Sequence, residues 1–321
     1  MLFNFGKKTK NFFFINSLYL YLSHFADYLL SIFLLPLIAK TIGTTEFGII
    51  SLAQTFSLLI ILFMEFGSSL MATREVARIK EDKSKVKIFI QDLTGFKIFL
   101  IPVVLIIAFL VAFNVPIFSS RPHYILIVAL GAIFQGMTPT WYFQGIEKMK
   151  KISISKIFFR SISFLIIIFL VKSSKDGWIV LASFTLSSTL ICIYLFYEIV
   201  KKIGPFNPFQ FEQRKSIVKR SIPSFLITAI PLLYQNISIF MLSVFVNPFQ
   251  LGLLFGASRI HRAFNTLYSP ISQAFFPLIS SINDKKKNES KKLIKEYSFF
   301  IGSIGLLFFL LNYFFTENLI L

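Results

Sequence analysis

Nine apolar stretches, each long enough to cross a bilayer or nearly so, recur along this chain with short, mostly basic segments between them. A spanning helix needs about 20 mostly apolar residues, because the hydrocarbon core is about 30 Å thick and a helix rises about 1.5 Å per residue. The stretches cover approximately 12–38, 47–71, 93–114, 122–144, 155–171, 177–200, 221–246, 252–280 and 297–316. Lipid offers no hydrogen bonds to the backbone, so each stretch must satisfy its own N–H and C=O groups, which a helix does. Composition agrees: 55% of the 321 residues are hydrophobic, 42 of them Phe, and only 15% are charged. The expected fold class is an all-α polytopic membrane protein.

The formal net charge of +18 would suggest nucleic acid in a soluble protein. Here 27 of the 33 basic residues fall in or beside alternate inter-span segments, counting Lys97, Lys156 and Arg160 near the span starts with the adjacent loops, and the opposite set holds only Lys40, Arg121, Lys172 and Lys175. That asymmetry is an orientation signal. It predicts a cytoplasmic N-terminus and basic loops facing anionic lipid headgroups, with no nucleic-acid partner. The run from Phe12 to Ala39 is too long for a signal-peptide core and reads as a first span. The outward loops, near 39–46, 115–121, 172–176 and 247–251, are too short to build a domain. Residues 72–92 read as a basic amphipathic surface helix, and 203–210 as a proline-rich connector.

The connector suggests two lobes: 1–202 with six helices, a linker at 203–220, and a partial second lobe at 221–321. A short internal repeat supports this division. Glu46-Phe47-Gly48-Ile49-Ile50-Ser51-Leu52-Ala53 matches Gln250-Leu251-Gly252-Leu253-Leu254-Phe255-Gly256-Ala257 at an offset of 204 positions. Six spans separate the copies, so both keep the same orientation, as in parallel transporter repeats. A chance match of short apolar sequence is the competing explanation. A six-helix second lobe would require more chain than is present, so the sequence suggests a truncated second lobe.

Polar groups inside apolar runs are the candidates for function, since each costs free energy in lipid. Arg259 and Arg262 stand one helical turn apart in the eighth stretch and share a face. Such a face suits a wet, anion-accepting cavity, because guanidinium binds phosphate oxygens bidentately and stays charged. The alternative is a packing ion pair with Asp27 or Glu65. His24 and Asp27, three residues apart in the first stretch, form either a proton-responsive pair or a structural partner for an arginine. Glu65, in the second stretch, reads as a coupling carboxylate or counter-ion, or as a residue nearing the interface. Among the described motifs of enzymes, no Walker loop, Gly-x-Ser-x-Gly elbow or metal-ligand spacing is found, and the single cysteine, Cys192, lies in an apolar run. A non-enzymatic carrier without cofactor or metal is expected.

Several stretches carry a family resemblance. They are Leu35-Pro36-Leu37-Ile38, Glu46-Phe47-Gly48, Phe66-Gly67 followed by Arg74-Glu75-Val76-Ala77, and Gln273-Ala274-Phe275-Phe276-Pro277. The most specific is Pro139-Thr140-Trp141-Tyr142-Phe143-Gln144-Gly145-Ile146-Glu147, in which Trp141, Gln144, Gly145 and Glu147 match a Trp-x-x-Gln-Gly-x-Glu signature. The chain resembles the Wzx-type polysaccharide flippases of the multidrug/oligosaccharidyl-lipid/polysaccharide exporter superfamily, over about residues 16–283. The resemblance implies two six-helix lobes around a cavity in the bacterial inner membrane. It implies transport of undecaprenyl-pyrophosphate-linked oligosaccharide by alternating access, driven by a proton or sodium gradient, alongside polysaccharide polymerase machinery. Alternatives within reach of the sequence are an exporter of lipid-linked peptidoglycan precursor or drugs, or an inactive truncated product. Trp141, Tyr142 and Gln144 would either stack on sugars at the cytoplasmic entry or anchor the helix at the interface.

Overall fold

A computed structural model describes residues 37–209 and 214–258, together with Leu34 and the single positions 298, 302, 303 and 306. The elements are all helical, and no strand occurs among the described residues. In chain order they are α1 (Thr44–Glu65), α2 (Ser68–Ile79), α3 (Lys83–Asn114), α4 (Pro116–Ser119), α5 (Pro122–Met137), α6 (Thr140–Gly145), α7 (Met149–Leu170), a 3-10 turn (Ser174–Asp176), α8 (Gly177–Ile203) and α9 (Arg214–Phe245). A further helix begins at position 248.

Among the described residues, six helical segments are long and apolar enough to span a membrane: Thr44–Ile79, Lys83–Asn114, Pro122–Gly145, Met149–Leu170, Ser174–Ile203 and Ser216–Tyr234. They coincide with six of the expected stretches, from 47–71 through 221–246. The stretches at 12–38, 252–280 and 297–316 lie wholly or largely outside the described residues. The helices alternate in direction, so the inter-span basic segments gather at one end of the bundle. We call this the basic end; Lys40, Arg121, Lys172 and Lys175 lie toward the far end.

Two expectations change. Residues 72–92 do not form one surface helix: α2 stops at Ile79 and α3 starts at Lys83. Asp82 causes the restart, accepting hydrogen bonds from the Ser84 and Lys85 backbone N–H at 3.1 Å each. These bonds, the Lys85 contact first, hold its carboxyl below the usual range. The far-end segment 39–46 shrinks to Gly43 (φ 82), because helix runs up to position 42 and resumes at Thr44.

Small residues bring the helices together, as expected where lipid supplies no hydrophobic drive between them. A Cβ on Gly131 of α5 would lie 2.5 Å from Thr185 Oγ1 of α8, whose hydroxyl donates to the Ile127 carbonyl at 2.9 Å. Ser163 of α7 likewise donates to the Ser183 carbonyl of α8 at 2.7 Å. A Cβ on Gly136 would meet Met64 Cβ of α1 at 2.3 Å. The resulting apolar core is in two parts. One fills the bundle between α1, α3, α5 and α8; the other surrounds α6 at the basic end.

Candidate functional site

Two spans break at the same depth near the basic end. The first breaks after Glu65, where Phe66 (φ 43) and Gly67 (φ 70) are both left-handed. A left-handed conformation costs a residue such as Phe about 1–2 kcal/mol. Ring contacts offset this: Phe66 stacks on Phe225 of α9 at 4.8 Å and meets Phe96 of α3 edge-on at 5.5 Å. Glycine is required at 67 twice over, since a Cβ would also lie 2.4 Å from the Phe225 nitrogen and 2.5 Å from the Ser221 carbonyl oxygen. The second break falls at Thr138-Pro139, between α5 and α6.

Lys97 bridges these breaks. It is 2% exposed, and its Nζ donates to the Gly136 carbonyl at 2.6 Å. The last carbonyls of a helix lack intrahelical partners and carry negative partial charge. Lys97 therefore serves as a side-chain cap for α5. Glu65 lies within electrostatic reach of both Lys97 and Lys156, so the cation is compensated within the bundle. Lys97 itself was grouped with the basic loop residues by the sequence reading. The structure instead places it in the core, about 21 Å along α3 from Lys83 at the helix rise. A signal was present: Val86, Ile90, Leu93 and Lys97 follow helical spacing, and all four are buried.

The break at Thr138-Pro139 turns α6 onto α2, and the signature residues make the joint. Trp141 is 2% exposed and meets Phe89 edge-on at 5.9 Å. Gln144 Oε1 accepts from the Thr73 hydroxyl at 3.2 Å. A Cβ on Gly145 would lie 2.7 Å from Val76 Cγ1. Glu147, left-handed at φ 59, pairs with Lys80 at 3.0 Å. The Trp-x-x-Gln-Gly-x-Glu stretch and the Arg74-Glu75-Val76-Ala77 stretch are thus two sides of one helix contact. Trp141 and Tyr142 are both buried, and their rings pack at the basic end. Trp141 Nε1 has no hydrogen-bond partner despite its burial.

The far end holds a buried carboxylate. Glu46, 4% exposed, accepts hydrogen bonds from Arg121 and from the Tyr124 hydroxyl. It sits in the first turn of α1, where the helix dipole favours an anion. The sequence reading placed Glu46 in a motif and Arg121 in a loop but did not join them. Arg259, Arg262, His24 and Asp27 lie outside the described residues. Among the described residues no group of His, Cys, Asp and Glu is arranged to hold a metal ion.

Comparison with known proteins bears on this geometry. The family model for polysaccharide biosynthesis proteins matches residues 13–283. A protein of Escherichia coli (strain K12) named "Putative O-antigen transporter" is 29% identical over 296 residues, covering 90% of this chain and 70% of the relative. A protein of Shigella dysenteriae with the same name is 28% identical over 285 residues, covering 87% and 70%. No solved structure matches the chain. With its multi-pass helical bundle and its two interlocking signature stretches, the chain belongs to the polysaccharide biosynthesis protein family, as the resemblance to Wzx-type flippases implied.

Proposed function

We propose that this chain is a flippase for lipid-linked oligosaccharide, moving O-antigen-type repeat units on undecaprenyl pyrophosphate from the cytoplasmic to the periplasmic leaflet of the bacterial inner membrane. The observation that carries this reading is the family match across residues 13–283, joined to relatives named for O-antigen transport. In this reading the basic end is cytoplasmic, in keeping with the positive-inside rule. A glycan headgroup on a pyrophosphate is large, polar and anionic, and it needs a polar path through the hydrocarbon. Arg259 and Arg262 would hold the pyrophosphate by bidentate hydrogen bonds while the lipid tail stays in the bilayer. Alternating access, powered by a proton or sodium gradient, would deliver the headgroup outward. His24 and Asp27 are the coupling candidates. Glu65 is better suited to balancing Lys97.

The test is complementation of a bacterial strain lacking its own flippase. The chain should restore surface polysaccharide, and the Arg259→Ala/Arg262→Ala double variant should abolish it at unchanged protein abundance. Normal surface polysaccharide in the double variant overturns the arginine assignment. Failure of the unaltered chain to restore any, at normal abundance and with matching glycan supplied, overturns the flippase reading.

A further inference from the structure

The two copies of the internal repeat touch each other, and they do so reciprocally. A Cβ built on Gly48 would lie 2.0 Å from the Pro248 carbonyl oxygen and 2.8 Å from the Gly252 nitrogen. A Cβ built on Gly252 would lie 2.2 Å from the Thr44 carbonyl oxygen. Under the offset of 204 positions, Thr44 corresponds to Pro248 and Gly48 to Gly252. Each glycine therefore rests on the first-turn carbonyl of the other copy's helix. This is the pattern of a twofold contact, in which residue i meets j′ and j′'s counterpart meets i′.

The helix starts also correspond. α1 begins at Thr44, and its counterpart begins at position 248. Asn247 and Gln250 exchange capping hydrogen bonds of 2.9 and 3.1 Å at the second start. At the equivalent of Gln250, Glu46 instead binds Arg121 and Tyr124. Both helices run inward from the far end, so the pseudo-dyad lies along the membrane normal. A chance match of eight residues would not account for a reciprocal contact at matching positions.

We propose that this contact is the outward seal of the transport path: Gly48 and Gly252, on a pseudo-twofold axis, let two helix starts close backbone to backbone at the periplasmic end. The proposal rests on the flippase reading for its path and orientation. The contact suits a reversible closure. The meeting point itself is backbone against backbone, flanked by the buried apolar side chains Leu251 and Phe255, so closing rests on shape and apolar packing. The approach is close because both facing positions are glycine; the nearest side-chain atom is Thr44 Cγ2, 2.8 Å from a Cβ built on Gly252. One turn inside, Ser51 and its counterpart Phe255 are both 1% exposed. The Ser51 hydroxyl has no hydrogen-bond partner, which places a polar group directly beneath the seal.

The test uses the full chain in intact cells with Cys192→Ala, since Cys192 is its only cysteine. Ser51→Cys then puts a single thiol below the seal. A charged, membrane-impermeant maleimide is added from the periplasmic side. With the native glycines and glycan synthesis blocked, labelling should be slow. Gly48→Ala or Gly252→Ala should raise it at least fivefold and lower export at least tenfold. Gly256→Ala, where a Cβ meets nothing within 4 Å, should change neither. Equal labelling in all three variants overturns the seal. Should the alanine variants not accumulate, the native-glycine chain is tested by restoring glycan supply. Labelling from outside should then rise at least fivefold as the path opens, and a thiol unlabelled in exporting cells overturns the proposal. If the chain restores no surface glycan, the flippase reading fails, whereas the labelling contrast between Gly48→Ala and Gly256→Ala still reports on the seal itself.

Discussion

The five described spans before the connector meet the segment that follows it at both ends of the bundle, and the two contacts are built differently. At the far end, Gly48 and Gly252 meet backbone to backbone, with no charge in the contact and with matching residues on both sides. At the basic end, Gly67 admits the Ser221–Phe225 turn of α9, Phe66 and Phe63 pack against Phe225, and Arg220 reaches Glu75 at 3.4 Å. That contact is asymmetric and mixes strain, aromatic packing and an ion pair. A contact of backbone on backbone depends closely on shape, with apolar packing of Leu251 and Phe255 behind it. A contact built of rings and opposite charges has more to lose on parting, although its ion pair is partly exposed and so weak. The comparison suggests that the far end closes by fit and the basic end by adhesion.

The substitution with the largest expected effect attacks the basic end at its glycine. Gly67→Val combines a left-handed backbone with a Cβ 2.4 Å from backbone of α9. It should cost more than about 3 kcal/mol and leave little folded protein, as read by detergent-solubilised yield and thermal unfolding. A near-native unfolding temperature would mean that α9 does not sit against Gly67 in the membrane. Next in size is the buried cation behind the break. Lys97→Met strips the cap from α5 and leaves Glu65 without its neighbour, at a cost of about 3 kcal/mol. Adding Glu65→Gln should restore part of that loss, and strictly additive effects would show that the two groups are uncoupled.

The far-end charge should respond similarly but on its own side of the molecule. Glu46→Gln strands Arg121 and should destabilise by about 2 kcal/mol, with Arg121→Gln in the same chain recovering part of it. Because Glu46 stands two residues before Gly48, the single variant should also loosen the far-end contact, seen as faster labelling at position 51. The smallest effect belongs to the Glu75–Arg220 pair, whose side chains are 24% and 53% exposed. Arg220→Ala should change stability by less than about 1 kcal/mol and should matter less in high salt. A loss comparable with that of Lys97→Met would make the basic end an electrostatic latch and reverse the contrast drawn above.

The spans were legible because hydropathy and length act locally: a run such as 177–200 has no stable alternative to a helix in lipid. The repeat was legible as an eight-residue match, and its copies proved to be in contact. The signature stretch was legible as a motif but not as a joint. Nothing in Trp141, Gln144, Gly145 and Glu147 says that they face Phe89, Thr73, Val76 and Lys80, because those partners stand more than fifty residues away in sequence. Lys97 was misplaced for a related reason. Its charge outweighed its position on the buried stripe begun by Val86, whereas in the fold a free α5 carbonyl and Glu65 compensate that charge.

By itself, the sequence determined the all-helical class, the alternation of the spans and the family, since each follows from local composition or from short motifs read in order. Tertiary structure alone decided which charges are paired, which glycines carry a neighbouring backbone and which end of the inter-half contact is symmetric. Burying a charge or omitting a Cβ is favourable only against a particular partner, and the fold, not the local run of residues, supplies that partner.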